Sequence, residues 1–238
     1  MSVTLGPVTD TRQEGMLART HEGKPGLPRG RSRLPLPVVR ASQRERLLRS
    51  VIAAISESGY LAVTVADIVR GARVSRAAFY AHFADKEDCF LAATAEGRDL
   101  MIAQVVSATR ALPAEACDEE VLRVACRAYL AFLAGEPAFA RVFYIHMPTA
   151  GPHAADRLDA AAGLFADLNQ KWHQRAREHH PEWPSVPSEA YLALAGATDE
   201  LVRSMVRADS IDDLPGLEET LVSLHLAVLA AHPWPPGT

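Results

Sequence analysis

One stretch, residues 64–90, constrains the fold of this chain more than any other part of the sequence. It reads TVADIVRGARVSRAAFYAHFADKEDCF. Thr64 is a helix-capping residue, and Asp67, three positions later, completes a pair of the capping-box kind. Apolar residues then recur at the spacing i, i+3, i+4, i+7, which predicts an amphipathic helix. These residues are Val65, Ile68, Val69 and Ala72.

A second, shorter helix is predicted directly after the first. Arg73 and Val74 form a tight turn, and Ser75 is the N-cap of a helix of barely two turns that carries Phe79 and Phe83 on its inner face. Two helices joined in this way predict a helix-turn-helix, whose second helix enters the major groove of DNA. An ordinary αα-hairpin is the alternative that the pattern alone leaves open.

The residue string VSRAAFYAHFADKED resembles the signature of the TetR family of bacterial transcriptional regulators. The resemblance runs from about residue 44 to residue 90, a minor part of the chain. It implies an all-α protein of about nine helices, in which an N-terminal three-helix helix-turn-helix bundle is joined to a larger helical ligand-binding and dimerisation domain. The periodicity of the remaining sequence also favours an all-helical chain, since no strand-length alternation is present.

The resemblance also implies which side chains contact DNA. Arg76 begins the recognition helix and can reach guanine O6 and N7, whereas Thr64 lies at a helix N-terminus that can bind a phosphate. Half-buried packing is the alternative for Tyr80 and His82, and a solvated side chain is the alternative for Lys86. The predicted DNA-binding residues are Arg44, Thr64, Arg73, Ser75, Arg76, Ala77, Ala78, Tyr80, His82 and Lys86.

Arg73 departs from the family pattern, because members commonly have glycine there and the turn favours a positive φ. An arginine can adopt that conformation at a cost of roughly 1 kcal/mol. Either the turn differs slightly here or Arg73 contacts a phosphate in return, and we hypothesise the second.

The distribution of charge agrees with a DNA-binding module at the front of the chain. Residues 1–90 carry 14 Lys and Arg against 9 Asp and Glu, whereas residues 91–238 carry 11 against 20. The net charges of +5 and −9 predict a polyanion-binding part followed by an acidic body. We expect a disordered basic arm at 1–37, the helix-turn-helix domain at 38–88 and the ligand-binding and dimerisation domain at 89–238.

The arm and the predicted helices follow from local signals. Residues 1–37 are rich in Gly and Pro and hold Lys24, Arg29, Arg31 and Arg33; the arm is either a solvated tail or reaches phosphates or the minor groove. Ser42 with Glu45 forms a capping box that predicts a helix as far as residue 58. The later helices are predicted at 86–110, 118–133, 137–147, 154–179, 188–207 and 214–231.

The larger domain is expected to hold a pocket for an unknown small-molecule effector, but nothing in the sequence identifies that molecule. The candidate lining residues are aromatic or sulfur-bearing, and plain core packing is the alternative for all of them: Met101, Tyr129, Phe143, Tyr144, Met147, Phe165 and Trp172. The last two helices carry apolar stripes that can pack against a second copy as a four-helix bundle, or within the monomer.

The expected function is that of a DNA-binding repressor, a homodimer released from a pseudo-palindromic double-stranded operator by an apolar or amphipathic effector. A ligand-independent activator or architectural protein is the alternative. An enzyme is not expected, because the sequence lacks paired Glu-x-x-His, Gly-x-Ser-x-Gly and His-Glu-x-x-His motifs. No cofactor or metal is expected either, since His173, His179 and His180 do not share a helical face. The absence of a secretion signal and of an apolar run of membrane-spanning length predicts a cytoplasmic protein.

Overall fold

The computed structural model describes residues 15–20 and 35–230. Within these ranges the chain forms nine α-helices and no β-strand, which confirms the predicted all-α fold. None of the helices described is long and apolar enough to cross a membrane. The helices are α1 (Leu36–Ser58), α2 (Val65–Ala72), α3 (Arg76–Tyr80), α4 (Lys86–Arg110), α5 (Asp118–Gly135), α6 (Pro137–Arg141), α7 (Pro152–His179), α8 (Ser188–Arg207) and α9 (Glu218–Leu229).

Short helices of other types join some of these elements. A π-helical turn, Val142–His146, continues α6 and is followed by the 3₁₀ turn Met147–Thr149. Another 3₁₀ turn, Ile211–Leu217, precedes α9, so the predicted start of the last helix near residue 214 falls in this turn. Pro215 lies inside the turn and lacks the N–H group that an α-helix needs there.

Side-chain caps fix the starts of the helices around the predicted DNA-binding segment. The Thr64 hydroxyl accepts a hydrogen bond from the Asp67 N–H at 3.3 Å, and the Asp67 carboxylate accepts one from the Thr64 N–H at 3.0 Å. The Ser75 hydroxyl accepts from the Ala78 N–H at 3.0 Å, and Asp85 caps α4 in the same way. These interactions are local in sequence, which is why the capping residues could be identified before the structure was known.

Helix α1 begins earlier than predicted. Pro35 is its N-cap and Pro37 lies in its first turn, so Ser42 and Glu45 belong to the helix interior and do not form a capping box. Proline is compatible with the first turn of a helix, because the N–H groups there have no intrahelical partner. The two prolines that suggested an extended arm are therefore part of the helix start.

The N-terminal helices share one hydrophobic core with the rest of the chain. Buried side chains of α1, such as Ile52, belong to the same contact cluster as Phe79, Met101, Phe139 and Val202. The core of the N-terminal three-helix bundle is therefore continuous with the core of the later helices. The reason is that α1 packs on α4, α6 and the π-helical turn as well as on α2. A domain boundary at residue 88 stays a prediction.

A short N-terminal segment, residues 15–20, is docked on the body of the protein. The Met16 and Leu17 N–H groups donate to the two Glu136 carboxylate oxygens at 2.8 and 2.9 Å, and Ala18 is fully buried. Gly15 has φ +78°, and a Cβ there would overlap Glu136. The predicted disorder thus does not hold for these six residues, whereas Lys24, Arg29, Arg31 and Arg33 lie outside the described residues.

The apolar stripes of α8 and α9 are used mainly inside the monomer. Tyr191, Leu194 and Leu221 are each no more than 5% exposed, so they are not available to a second copy. Leu192 is the large apolar side chain of α8 that remains on the surface, with 52% exposure.

Candidate functional site

The turn between α2 and α3 has the conformation that the sequence pattern requires. Arg73 has φ 54° and ψ 42°, which is the left-handed region. Its N–H donates to the Arg70 carbonyl at 3.2 Å, and the Val74 N–H donates to the Val69 carbonyl at 3.2 Å. These bonds satisfy carbonyls at the end of α2 and offset the roughly 1 kcal/mol that a non-glycine residue costs there.

Helix α3 is supported from below and exposed on its outer side. Phe79 is fully buried and Phe83 is 4% exposed, and both pack in the core with Ile68. Arg76 and Ala77 lie on the surface, and Tyr80 is 50% exposed. This arrangement leaves the outer face of a short helix free to approach a groove.

The side chain of Arg76 is positioned by a neighbour on the same helix. Its guanidinium carbon lies 5.8 Å from the centroid of the Tyr80 ring. The Tyr80 ring in turn makes an edge contact with buried Phe79, at a centroid distance of 5.3 Å. A stacked guanidinium keeps its hydrogen-bond donors free and loses less side-chain entropy when it binds.

Three of the other predicted DNA-binding residues also form hydrogen bonds within the protein that stabilise the local fold. The hydroxyls of Thr64 and Ser75 cap helices, as described above, although both residues are exposed. The Lys86 ammonium donates to the carbonyls of Tyr60 and Val63 at 2.7 and 2.9 Å and lies 4.2 Å from the Tyr60 ring centroid. An ammonium has three donors, so one N–H of Lys86 remains for a phosphate.

Arg44 and His82 lie beside α3 and are partly engaged by protein groups. Arg44 forms an ion pair with Glu96 at 3.3 Å and lies over the Phe83 ring. The His82 Nε2 atom lies 3.4 Å from the Gln43 amide oxygen. Burial lowers the pKa of His82, and the nearby charges of Arg40 and Arg44 lower it further. The His82 ring is therefore neutral at pH 7 and offers a hydrogen bond, without a charge. Ala78 is half-buried on the inner flank of α3.

A second candidate site is a cavity of about 230 Å³ lined by residues of helices α4, α5, α7, α8 and α9. Of the predicted pocket residues, Tyr129, Phe165 and Trp172 line it. Its walls are otherwise mainly aliphatic. The remaining lining residues are Ile102, Val105, Val106, Thr109, Val121, Leu122, Ala125, Cys126, Leu168, Asn169, Ala195, Thr198, Asp199, Leu221 and His225.

The other four predicted pocket residues are not part of the cavity wall. Met101, Phe143, Tyr144 and Met147 are each no more than 4% exposed and belong to the hydrophobic core. Their side chains fill the space between helices, which the sequence cannot distinguish from lining a cavity. Tyr144 still acts on the cavity indirectly, because its hydroxyl lies 2.5 Å from that of Tyr129.

Asp199 supplies a carboxylate to the cavity wall and was not among the predicted pocket residues. The Tyr144 hydroxyl donates to the Asp199 carboxylate at 3.5 Å, and burial raises the pKa of Asp199 to about 6 against the opposing effect of Arg203. Asp199 lies on the same stripe of α8 as buried Ala195 and Val202. That i, i+4, i+7 spacing was the available signal that this carboxylate points inward.

His225 supplies a second polar group to the cavity. Its Nδ1–H donates to the Leu221 carbonyl at 2.7 Å, which leaves Nε2 as an acceptor. Burial lowers the pKa of His225, so the ring is neutral at pH 7.

Two of the three histidines near the end of α7, His179 and His180, approach the Asp118 carboxylate, the second at 3.7 Å, whereas His173 has a different partner. The Nδ1 atom of His179 lies 2.9 Å from the Asp118 carboxylate, and that of His173 lies 2.9 Å from the Tyr191 hydroxyl. His180 pairs mainly with Glu182, at 3.2 Å. In the part of the chain that the structure describes, no three His, Cys, Asp or Glu side chains are placed to hold a metal ion.

The capped helix pair, the left-handed turn and the exposed face of α3 define a helix-turn-helix protein. The particular family follows from a sequence comparison. Residues 47–93 match the family described as "Bacterial regulatory proteins, tetR family". The helix-turn-helix segment of the chain thus matches the TetR family of bacterial regulatory proteins, as the motif in α2–α4 predicted. No curated protein matches the sequence significantly.

Solved structures of similar fold extend the likeness well beyond the matched segment. The fatty acid degradation regulator FadR from Bacillus halodurans is 20% identical, with a TM-score of 0.68 over 76% of this chain and 97% of that one. FadR from Bacillus subtilis, solved in complex with stearoyl-CoA, is 18% identical, with a TM-score of 0.68 over 77% and 97%. A tetR-family protein from Rhodococcus RHA1 is 20% identical, with a TM-score of 0.59 over 80% and 98%.

Proposed function

We propose that this protein is a ligand-responsive transcriptional repressor that binds a pseudo-palindromic operator as a homodimer. The observation that carries the proposal is the outer face of α3, where Arg76, Ala77 and Tyr80 are exposed while Phe79 holds the helix to the core. Arginine forms bidentate hydrogen bonds with guanine, an alanine methyl packs on a thymine methyl, and a tyrosine hydroxyl bonds a phosphate.

Phosphate contacts around α3 would fix its register in the groove. The N-terminus of α2 at Thr64 and the N-terminus of α3 at Ser75 offer backbone N–H groups, and Lys86 has one free donor. Arg73 is exposed at the turn between the two helices. We assign phosphate contacts to all four residues, with base readout left to Arg76 and its neighbours on α3.

Replacement of Arg76 by Ala is expected to weaken binding to the operator by about 1–3 kcal/mol, or roughly 5- to 150-fold, because a bidentate base contact is lost. Fluorescence anisotropy with duplexes tiled across the DNA upstream of the protein's own gene measures the change at fixed salt. Arg110→Ala removes the same charge at the exposed far end of α4 and serves as the control. Equal affinities for the wild-type protein and the Arg76→Ala variant would contradict the assignment.

Helix α4 offers a physical link between the DNA-binding face and the cavity. It begins at Lys86, whose ammonium binds the loop between α1 and α2, and its second half carries the cavity residues Ile102 and Val105. Its 25 residues span about 37 Å. A ligand that favours one position of α4 would change the separation of the two recognition helices in a dimer, which operator binding requires to be about 34–36 Å.

The dimer is proposed to form through the outer faces of α8 and α9. Beside Leu192, this surface carries small side chains that allow helices to approach closely. They are Ala193, Gly196, Thr220, Ser223 and Ala227, all exposed in the single chain. A two-fold axis along these helices would produce a four-helix bundle from two copies.

Leu192→Glu is expected to shift the protein from dimer to monomer, because a carboxylate would be buried without a partner at the interface. Sedimentation velocity at several protein concentrations measures the shift. Leu100→Glu places the same change at another exposed leucine, 47% exposed on α4, and is expected to leave the dimer intact. Dissociation caused by both variants, or by neither, would place the interface elsewhere.

A further inference from the structure

The cavity has one formal charge on its wall, and that charge is negative. Asp199 is the only Asp, Glu, Lys or Arg among the lining residues. An anionic ligand would therefore meet a carboxylate and no cationic side chain. The stearoyl-CoA bound to FadR from Bacillus subtilis carries phosphate groups, so this wall does not suit a ligand of that charge.

The Asp199 carboxylate forms no ion pair in the described part of the chain, although the charge of Arg203 opposes the larger effect of burial on its pKa. Its hydrogen bond from the Tyr144 hydroxyl is long, at 3.5 Å, because that hydroxyl lies much closer to Tyr129, at 2.5 Å. Arg203, one turn further along α8, pairs instead with Glu200 at 3.3 Å. The Asp199 carboxylate is partly buried and has no ion pair, which is unfavourable, so a positive group that enters the cavity gains a partner already in place.

The remaining wall of the cavity suits the apolar body of a ligand that carries a positive group. Tyr129 and Phe165 meet edge to face at a centroid distance of 6.0 Å, and Trp172 lines the cavity with them. Aromatic rings attract cations as well as apolar groups. The neutral His225 ring offers an acceptor for a second N–H of the ligand. The volume of about 230 Å³ is below the roughly 300–1,000 Å³ of drug-binding sites, which indicates a small ligand.

We infer that the effector of this protein is a small apolar cation, a protonated amine on a hydrocarbon or aromatic body, whose ammonium group binds the Asp199 carboxylate. The inference rests on the proposed role of the cavity as the effector site. It adds the charge of the ligand, which the family and the fold leave open. The aliphatic side chains of α4 and α5 pack against the body of the ligand, and the carboxylate determines its orientation.

Three probes of nearly equal size test the charge preference: octylamine, octan-1-ol and octanoate. Isothermal titration of the full-length protein at neutral pH is expected to give octylamine an affinity at least about tenfold above that of octan-1-ol, with octanoate weakest. Asp199→Asn keeps the size of the side chain and is expected to remove the advantage of the amine while leaving octan-1-ol binding unchanged. Glu200→Gln removes the adjacent, exposed carboxylate and is expected to leave all three affinities as they are.

The outcomes separate this inference from the proposed function, because operator binding is measured on the same samples by anisotropy. Octanoate binding as tightly as octylamine, equal amine affinity in Asp199→Asn, or no saturable amine binding below the aggregation range of the probe each overturns the inference. Release of DNA by octanoate would overturn the inference and support the repressor proposal. Amine binding to a protein that binds none of the upstream duplexes would support the inference and contradict the repressor proposal.

Discussion

Replacement of Gly97 by Ala is expected to lower the free energy of unfolding by about 1–3 kcal/mol. A Cβ at this position of α4 would overlap the ring of Phe139 on α6. That ring is fully buried and held between Phe132 and Phe143, at centroid distances of 6.0 and 5.6 Å. Since the ring has no free space to move into, the helices themselves must separate. Urea unfolding followed by circular dichroism, at constant protein concentration, measures the change.

Gly163→Ala is the matched control for this prediction. Gly163 lies inside α7, and an added Cβ there meets nothing within 4 Å. Removing a glycine from a helix interior without a clash is expected to stabilise the protein by about 0.5–1 kcal/mol. The two substitutions are identical in chemistry and opposite in expected sign. Similar effects of both would mean that α4 and α6 are not packed as closely as the structure has them.

Replacement of Asp199 by Asn is expected to raise the free energy of unfolding of the ligand-free protein by about 1–3 kcal/mol at neutral pH. Burial raises the pKa of Asp199 to about 6 from 3.8, so the folded protein binds this proton more tightly than the unfolded chain does. The ionised carboxylate is therefore a cost to the folded state at neutral pH. An amide of the same shape removes the charge and keeps an acceptor for the Tyr144 hydroxyl.

The difference in stability between the wild-type protein and the variant is expected to depend on pH, because the pKa of Asp199 is raised in the folded state. Below about pH 4 the carboxyl is protonated in both states, so the wild-type protein and the variant are expected to be equally stable. Between about pH 4 and 6 the unfolded chain loses its proton first, and the wild-type protein becomes progressively less stable than the variant. Above pH 6 the difference is constant. Thermal unfolding of both proteins from pH 4 to pH 8 measures it. A variant less stable than the wild-type protein at pH 7.5 would show that the carboxylate already has a favourable partner.

Together, the two expected effects of Asp199→Asn distinguish a ligand-binding carboxylate from a structural one. If Asp199 stabilised the fold, its replacement would lower the free energy of unfolding of the protein. If Asp199 binds a cationic ligand, the substitution is expected to raise the free energy of unfolding and to remove ligand binding. Binding sites are often built from groups that are unfavourable in the empty protein.

The helix starts of the predicted DNA-binding segment could be predicted from the sequence better than any other part of the structure. Its caps at Thr64, Ser75 and Asp85 act within three residues of the helix they start, and Phe79 and Phe83 are one helical turn apart. The positive φ of Arg73 agrees with the glycine that the resembled family commonly has at this position. The start of α1 was placed too late, because Ser42 and Glu45 carry the same pattern as a capping box while Pro35 and Pro37 begin the helix.

The cavity was much less predictable, because it is made by side chains of five helices. Phe165 and Phe143 are both aromatic residues on helical stripes, yet one lines the cavity and the other fills the core. Asp199 resembles an ordinary surface acid when read along the chain, next to exposed Glu200. The stripes of α8 and α9 left open a choice between a second copy and the monomer, and the structure buries Tyr191, Leu194 and Leu221 within one chain.

The sequence by itself determined the helical class and the helix-turn-helix, because capping and periodicity act between residues a few positions apart. Only the tertiary structure decided that residues 15–20 bind Glu136, that α1 shares its core with α6, and that Asp199 faces an apolar cavity. Those contacts join residues far apart in the chain, and their existence depends on how whole helices pack against one another, which no local pattern specifies.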